Sequence, residues 1–274
     1  MKKIFLILFS FAFYSCSADK MAVKTVSNII DSGMPAVFSE RDLKYAKESL
    51  PSNLKLMEIL LKTKEDEKLL LNASIGFCGY AWAFLEEESS SQAAEFYKKG
   101  IFYSSKILEK KKAIKENQID SKKVNGKTAP ALFWNTFCKS ALINLNPSDS
   151  ENSAMLGETE DQANILAQKY PNYFYNSVYA ILGSVYASKP KIMGGDINKS
   201  AFFFEKSFEK GGDSFLLNKY MYAKTYAVSS QNEDLFIKTL QSILDAPITE
   251  QTAFFDAVAK QKSAVLMEKK NEYF

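Results

Sequence analysis

The chain has 274 residues, of which 46% are hydrophobic, 14% aromatic and 24% charged, a composition that supports a packed globular fold and argues against disorder. It contains no histidine, which removes Ser-His-Asp and Cys-His catalysis and histidine-bound zinc. Lys2 and Lys3 lie in a segment expected to be removed, leaving 33 of the 35 basic residues against 32 acidic ones, too even a balance for a nucleic-acid binder.

At the N-terminus, Ile4 to Tyr14 form an apolar run interrupted only by Ser10. That is short of the roughly 20 residues needed to span a membrane and fits a secretory signal. Cys16 follows the small residue Ser15 and resembles the acylated cysteine of a bacterial lipobox, although Phe13 and Tyr14 stand where leucine and a small residue are usual. The expectation is a lipoprotein signal peptide over 1–15, lipid attachment at Cys16 and one mature domain over 16–274. An ordinary signal peptide cut nearby is the alternative. Export would leave Cys78 and Cys138 in an oxidising compartment. Both fall in apolar helical runs, and buried reduced thiols are expected, with a disulfide as the alternative.

The body carries apolar residues at helical spacing and lacks hairpin signals. Helices are predicted over 22–33, 39–49, 52–63, 66–87, 91–117, 130–144, 154–169, 172–188, 197–210, 214–229, 231–244 and 250–271. Breaks are expected at Pro51, Pro147, Pro171, Gly194-Gly195, Gly211-Gly212 and Pro247. The fold class is all-α, as stacked antiparallel helix pairs with extra flanking helices.

Several pairs satisfy the tetratricopeptide pattern, in which small residues let two helices approach and bulky ones fill the gaps. Phe77, Tyr80, Ala81 and Phe84 pair with Ala93, Tyr97 and Gly100. Tyr179, Leu182, Gly183 and Tyr186 pair with Ser200, Phe204 and Ser207 after an insertion of five residues. Tyr222, Ala223 and Tyr226, ahead of Pro247, form a weaker unit, and Trp134, Phe137 and Cys138 begin a degenerate one.

With these blocks assembled, the sequence resembles the tetratricopeptide-like T-component lipoproteins associated with TRAP transporters. The resemblance is carried by residues 50–87, 93–108, 129–146, 170–228 and 234–244 and by the C-terminal helix ending in Phe274. Its most specific element is the KPKIMGGD insertion at 189–196. One departure is Lys139-Ser140 after Cys138, where a more apolar or glycine-containing run is usual. The resemblance implies a periplasm-facing envelope lipoprotein that works with the soluble substrate-binding P component. It further implies homo-oligomers, trimers among them, and a cavity or channel for a small apolar or amphipathic ligand. No enzymatic activity is implied.

Candidate ligand contacts are the aromatic residues Tyr80, Trp82, Phe84, Trp134, Tyr179 and Tyr186, with Asn135 as a polar contact. Four of them sit at packing positions of the repeat and read as core; Trp82 and Trp134 are the better candidates, since Trp82 lies outside those positions and an indole N–H needs a partner when buried. Lys191, Met193, Gly194, Gly195 and Asp196 form a candidate partner loop, with Asp196 as a helix N-cap. Residues 106 to 127 hold eight lysines against Glu109, Glu116 and Asp120; they read as a solvated surface, or as a basic end meeting lipid headgroups or an acidic partner. Glu86-Glu87-Glu88 reads as a solvated helix end, because neighbouring helical side chains diverge too far for paired acid–base work. No cofactor, metal site or catalytic residue is expected. The function expected is an accessory T component of TRAP-type uptake that docks the P component and holds or conducts a small apolar or organic-acid ligand. The alternative is an envelope-anchored scaffold for protein assembly without a ligand.

Overall fold

The computed structural model describes residues 2–115, 118–147 and 149–274, with side chains from Asp19 onward. The N-terminal helix α1 (Lys2–Phe38) runs past the predicted end at 33, and the apolar N-terminal run forms its beginning. The side chain of Cys16 lies outside the described residues. Helix α2 (Leu43–Thr63) opens on Asp42, whose carboxylate accepts from the Tyr45 N–H.

The break expected at Pro51 is absent, and α2 is one helix where two were predicted. A helical proline leaves the carbonyl four residues earlier without its donor. Here that carbonyl belongs to Lys47, and it accepts instead from the Tyr80 hydroxyl at 3.1 Å. A neighbouring helix thus supplies the bond that proline cannot.

Helix α3 (Glu67–Tyr80) starts at Asp66, which accepts from the N–H groups of Lys68 and Leu69, and continues as a π-helical segment over Ala81–Leu85. Its partner α4 (Ser90–Lys110) ends where Lys112 turns left-handed, short of the predicted 117. Beyond it, β1 (Ile114–Lys115) and β2 (Gln118–Ile119) make a two-residue antiparallel ladder in an otherwise all-α fold.

There follow α5 (Ala129–Leu145), the single turn α6 (Ser150–Ala154), α7 (Leu156–Lys169) and α8 (Ser177–Ser188). Next, α9 (Ile197–Phe208) is capped by Asp196, and α10 (Leu216–Met221) continues as a second π-helical segment over Tyr222–Ala227. Helices α11 (Glu233–Asp245) and α12 (Ala253–Glu268) close the chain. Packing is sequential: α3 on α4, α4 on α5, α5 on α7, α7 on α8, α8 on α9 and α11 on α12. Helix α1 lies across α2, α3 and α12.

The small residues of the repeats do what their positions predict. A Cβ at Gly183 would stand 2.6 Å from the Phe204 ring, so the aromatic residue of α9 seats on the bare backbone of α8. Ser200 Oγ donates to the Gly183 carbonyl at 2.7 Å, and Ser74 Oγ donates likewise to the Gly100 carbonyl at 2.8 Å. A Cβ at Gly100 would collide with Cys78 Sγ and stand 3.0 Å from Cys138 Sγ. Glycine at that point of α4 lets α3 and α5 come together over it. Cys78 and Cys138 are joined in a disulfide there, with Cα atoms 5.6 Å apart. The expectation of reduced thiols is corrected.

Helix α8 begins later than the predicted 172. Phe174, Tyr175 and Asn176 take φ values of 49°, 57° and 61°, a left-handed turn that ordinary residues adopt at a cost. Asn218 Nδ2 donates to the Tyr175 carbonyl at 2.8 Å and Asn176 Nδ2 to the Glu209 carbonyl at 2.5 Å, holding the turn closed.

Candidate functional site

A cavity of about 210 Å³ opens between α1, α2, α3 and the start of α12. Its walls are mainly aliphatic and aromatic, including Met34, Leu54, Met57, Tyr80 and Phe255, with Asn53 and Asn72 as the polar exceptions. Two glycines make the space. A Cβ on Gly33 of α1 or on Gly79 of α3 would meet nothing within 4 Å. Glycine inside a helix costs about 1 kcal/mol relative to alanine; here it leaves open volume where a side chain would stand. For scale, an apolar protein cavity of about 150 Å³ accepts benzene.

A second, smaller cavity of about 50 Å³ lies where the two π-helical segments approach. Trp82 comes from the first segment and Lys224 and Thr225 from the second, with Ser140, Asn144 and Ser184 from α5 and α8. A π turn widens a helix and re-aims its side chains, a device common at functional sites. The cavities are linked through a ring pair: Phe255 lines the larger and Trp82 the smaller, and they stack with centroids 6.0 Å apart.

Glu86 borders the smaller cavity with its side chain only 9% exposed, in contrast to the solvated helix end expected of it. It accepts from the Tyr97 hydroxyl at 2.8 Å and from Lys262 Nζ at 3.0 Å, and Lys224 Nζ stands 3.7 Å away. Lys262 also reaches Glu87 at 2.5 Å. Burial alone would raise the Glu86 carboxyl, but Lys224, Lys262 and Tyr97 together hold it below the usual carboxylate range. Burial and the same carboxylate push the Tyr97 hydroxyl well up.

The structure brings Tyr80 to the larger cavity and Trp82 to the smaller one, while Phe84 borders a shallow groove beside Lys47 and Lys262. The other four candidates lie apart from both cavities. Trp134 is 1% exposed and packs edge-on against Phe133, Phe137 and Phe174. Asn135 Nδ2 donates to Ser104 Oγ at 3.0 Å, and its Oδ1 accepts from Gln162 Nε2 at 3.2 Å, tying α4, α5 and α7 together. Tyr179 and Tyr186 stack on Phe203. The Tyr186 hydroxyl donates to Glu160 at 2.6 Å, and burial together with that carboxylate pushes it up to about 12.

The insertion at 189–196 forms a 3-10 turn over Lys191–Met193 that ends at Gly194, with φ of 86°. A Cβ on Gly195 would collide with the Lys189 carbonyl. Asp196 accepts from the N–H groups of Asn198 and Lys199. The loop presents Ile192 at 96% exposure and Met193 at 52%. Lys139, the departure noted in the sequence, pairs with Glu158 at 2.7 Å, and Ser140 borders the smaller cavity.

Sequence reasoning did not single out Gly33, Gly79, Asn144, Lys224 or Lys262, and it met Glu86 only as a solvated helix end and Ser140 only as part of the departure after Cys138. Only Gly79 left a signal, as a helix-interior glycine in a strongly apolar run; Gly33 stood at the predicted end of its helix.

Sequential helix pairs with glycine-seated aromatic residues define the class, an all-α protein of tetratricopeptide-like repeats. The sequence model of the TRAP transporter T-component family matches residues 39–274, and the chain belongs to that family. No curated protein sequence matches the chain. Membership associates the protein with TRAP transport systems of the cell envelope, as an accessory without an enzymatic role.

Proposed function

We propose that the protein is a lipid-anchored, periplasm-facing T component that docks the substrate-binding P component and holds a small apolar or organic-acid ligand. The observation that carries the reading is the larger cavity, kept open by Gly33 and Gly79 at a cost in helix stability. Apolar pockets with few polar groups are the usual design for small ligands. The aliphatic walls suit the ligand's body. The Trp82–Phe255 pair leads from them toward the smaller cavity, where Lys224 suits a carboxylate. The exposed Ile192-Met193 tip offers the P component an apolar contact held on a fixed turn. Cys16 carries the lipid in this reading, and the repeat array assembles into a homo-oligomer, a trimer by family resemblance.

Native mass spectrometry of the Ser17–Phe274 protein, alone and with the P component encoded beside its gene, tests both halves. A discrete complex that retains a small mass is expected. In the Gly79→Leu variant the complex should persist and the small mass should be lost. A complex indifferent to Gly79→Leu would favour a scaffold without a ligand. Absence of any complex would refute the docking.

A further inference from the structure

The lysine-rich segment and the exit of α1 from the body meet at one end of the molecule. The turn between α2 and α3 carries three successive acids, and each is held by a lysine. Glu65 pairs with Lys106, Asp66 with Lys24 at 3.0 Å, and Glu67 with Lys111 at 2.8 Å. The C-terminal end of α4 and Lys24 of α1 therefore stand side by side. Lys169, at the end of α7, donates to the Val124 carbonyl at 3.4 Å and fixes the following loop to the same end.

Helix α1 runs alongside α3 in the same direction. Ser27 bonds Asp66, Asp31 pairs with Lys68, and Gly33 and Val37 face Gly76 and Gly79 across the larger cavity. Going backward from Lys24, α1 projects beyond the start of α3. From Asp19 onward Val23 is its first buried residue, and residues 19–22 are exposed. Cys16 is eight residues before Lys24, which is about 12 Å of helix.

Charge is concentrated at this end. Residues 106–127 hold eight lysines and three acids, or +5, whereas the chain after Cys16 carries 33 basic against 32 acidic residues, or +1. The remainder is therefore at −4. Lys20, Lys62, Lys112, Lys122, Lys123 and Lys127 are exposed. None of the six forms an ion pair among the described residues.

We propose that this basic end is a membrane-binding face that lies against anionic phospholipid headgroups. It deepens the reading of the chain as an envelope-anchored protein and rests on it. A lipid anchor and a basic surface reinforce each other, since each lysine near an anionic surface adds about a fivefold gain in partitioning. The face also orients the molecule. The turns between α3 and α4 and between α8 and α9 lie at the opposite end, away from the bilayer.

The test uses the Ser17–Phe274 protein, which keeps every buried residue and contact described above and lacks Cys16, so its outcome is independent of lipidation. Flotation with vesicles of phosphatidylcholine alone and with vesicles enriched in phosphatidylglycerol should show binding only to the latter. High salt should release it by shortening the screening length. Replacing Lys112, Lys122 and Lys123 together by Gln should lower partitioning on the order of a hundredfold. The same charge change at Lys44, Lys191 and Lys199, at the opposite end, should leave it within a few-fold. Failure to bind anionic vesicles, equal binding to neutral ones, or an equal loss in the two triple variants overturns the proposal. So does binding to poly-glutamate without binding to vesicles, which would make the face an acidic-protein site.

Discussion

At the scale of single residues, glycine decides most. Gly79 and Gly100 are both helical, yet their surroundings give substitutions of opposite sign. Gly79→Ala meets no atom within 4 Å and gains about 0.5–1 kcal/mol of helix stability, a rise in melting temperature of about 1–4 °C. Ligand retention should fall in the same variant, a stability gain at the expense of binding. Gly100→Ala drives a methyl into the Cys78 sulfur, close to the Ser74 carbonyl. It should destabilise by about 1–3 kcal/mol, measured by denaturant unfolding under non-reducing conditions.

Glu86 gives the third prediction. Glu86→Gln leaves Lys262 buried with only Glu87 as partner and Lys224 without its nearby carboxylate, which should cost about 3 kcal/mol at neutral pH. The folded carboxyl titrates below its unfolded value. Its stabilisation is therefore complete above the unfolded value of about 4.3 and is lost as pH falls through the depressed folded value. The difference between wild type and Glu86→Gln should be constant near neutrality and shrink once the pH drops below that of ordinary carboxylates. A difference unchanged down to strongly acidic pH would refute the ion-pair account. None of this was legible from Glu86-Glu87-Glu88 as a charged run, because the partners Lys224 and Lys262 are far off in sequence and only the fold brings them in.

At the scale of elements, periodicity predicted most helices, and the misses have identifiable physical causes. Pro51 read as a stop because its ring removes a donor, and a sequence does not reveal that Tyr80 would replace it. The late start of α8 escaped because Tyr-Phe-Tyr-Asn carries no glycine to announce a left-handed turn. That turn depends on a residue more than forty positions away: Asn218 is 0% exposed, donates to the carbonyls of Tyr175 and Gly212, and accepts from Ser177 at 2.8 Å. Asn218→Ala should leave these groups unpaired and cost about 2–3 kcal/mol. Hydrogen exchange should locate the loosening at residues 172–177. A uniform change across all helices would argue against a local clamp.

For the whole molecule, the repeat pattern carried the architecture. Small and aromatic residues at fixed spacing force neighbouring helices together, and Gly183 against Phe204 shows that rule in atoms. The cavities were less legible. They arise where helices outside the pattern, α1 and α12, lie on the array and where α3 and α10 widen into π turns. Aromatic content favoured Trp82 and Trp134, of which the fold brings only Trp82 to a cavity, and it read Tyr80 as core although Tyr80 lines the larger one. Composition tells a wall of a cavity from a core residue only when the backbone opposite is known.

The link between Cys78 and Cys138 spans 60 residues of sequence, and such a closure removes unfolded-chain freedom equivalent to about 4 kcal/mol. Reduction should lower the melting temperature by about 10 °C. Disulfides persist in oxidising compartments and are kept open where proteins are synthesised. In the exported protein proposed above, the same polypeptide has two stabilities, a lower one before it crosses the membrane and a higher one after. Before crossing, the weaker fold is the easier one to unravel and thread. Afterwards, oxidation works as a ratchet: the chain that has refolded on the far side is no longer the one that was threaded.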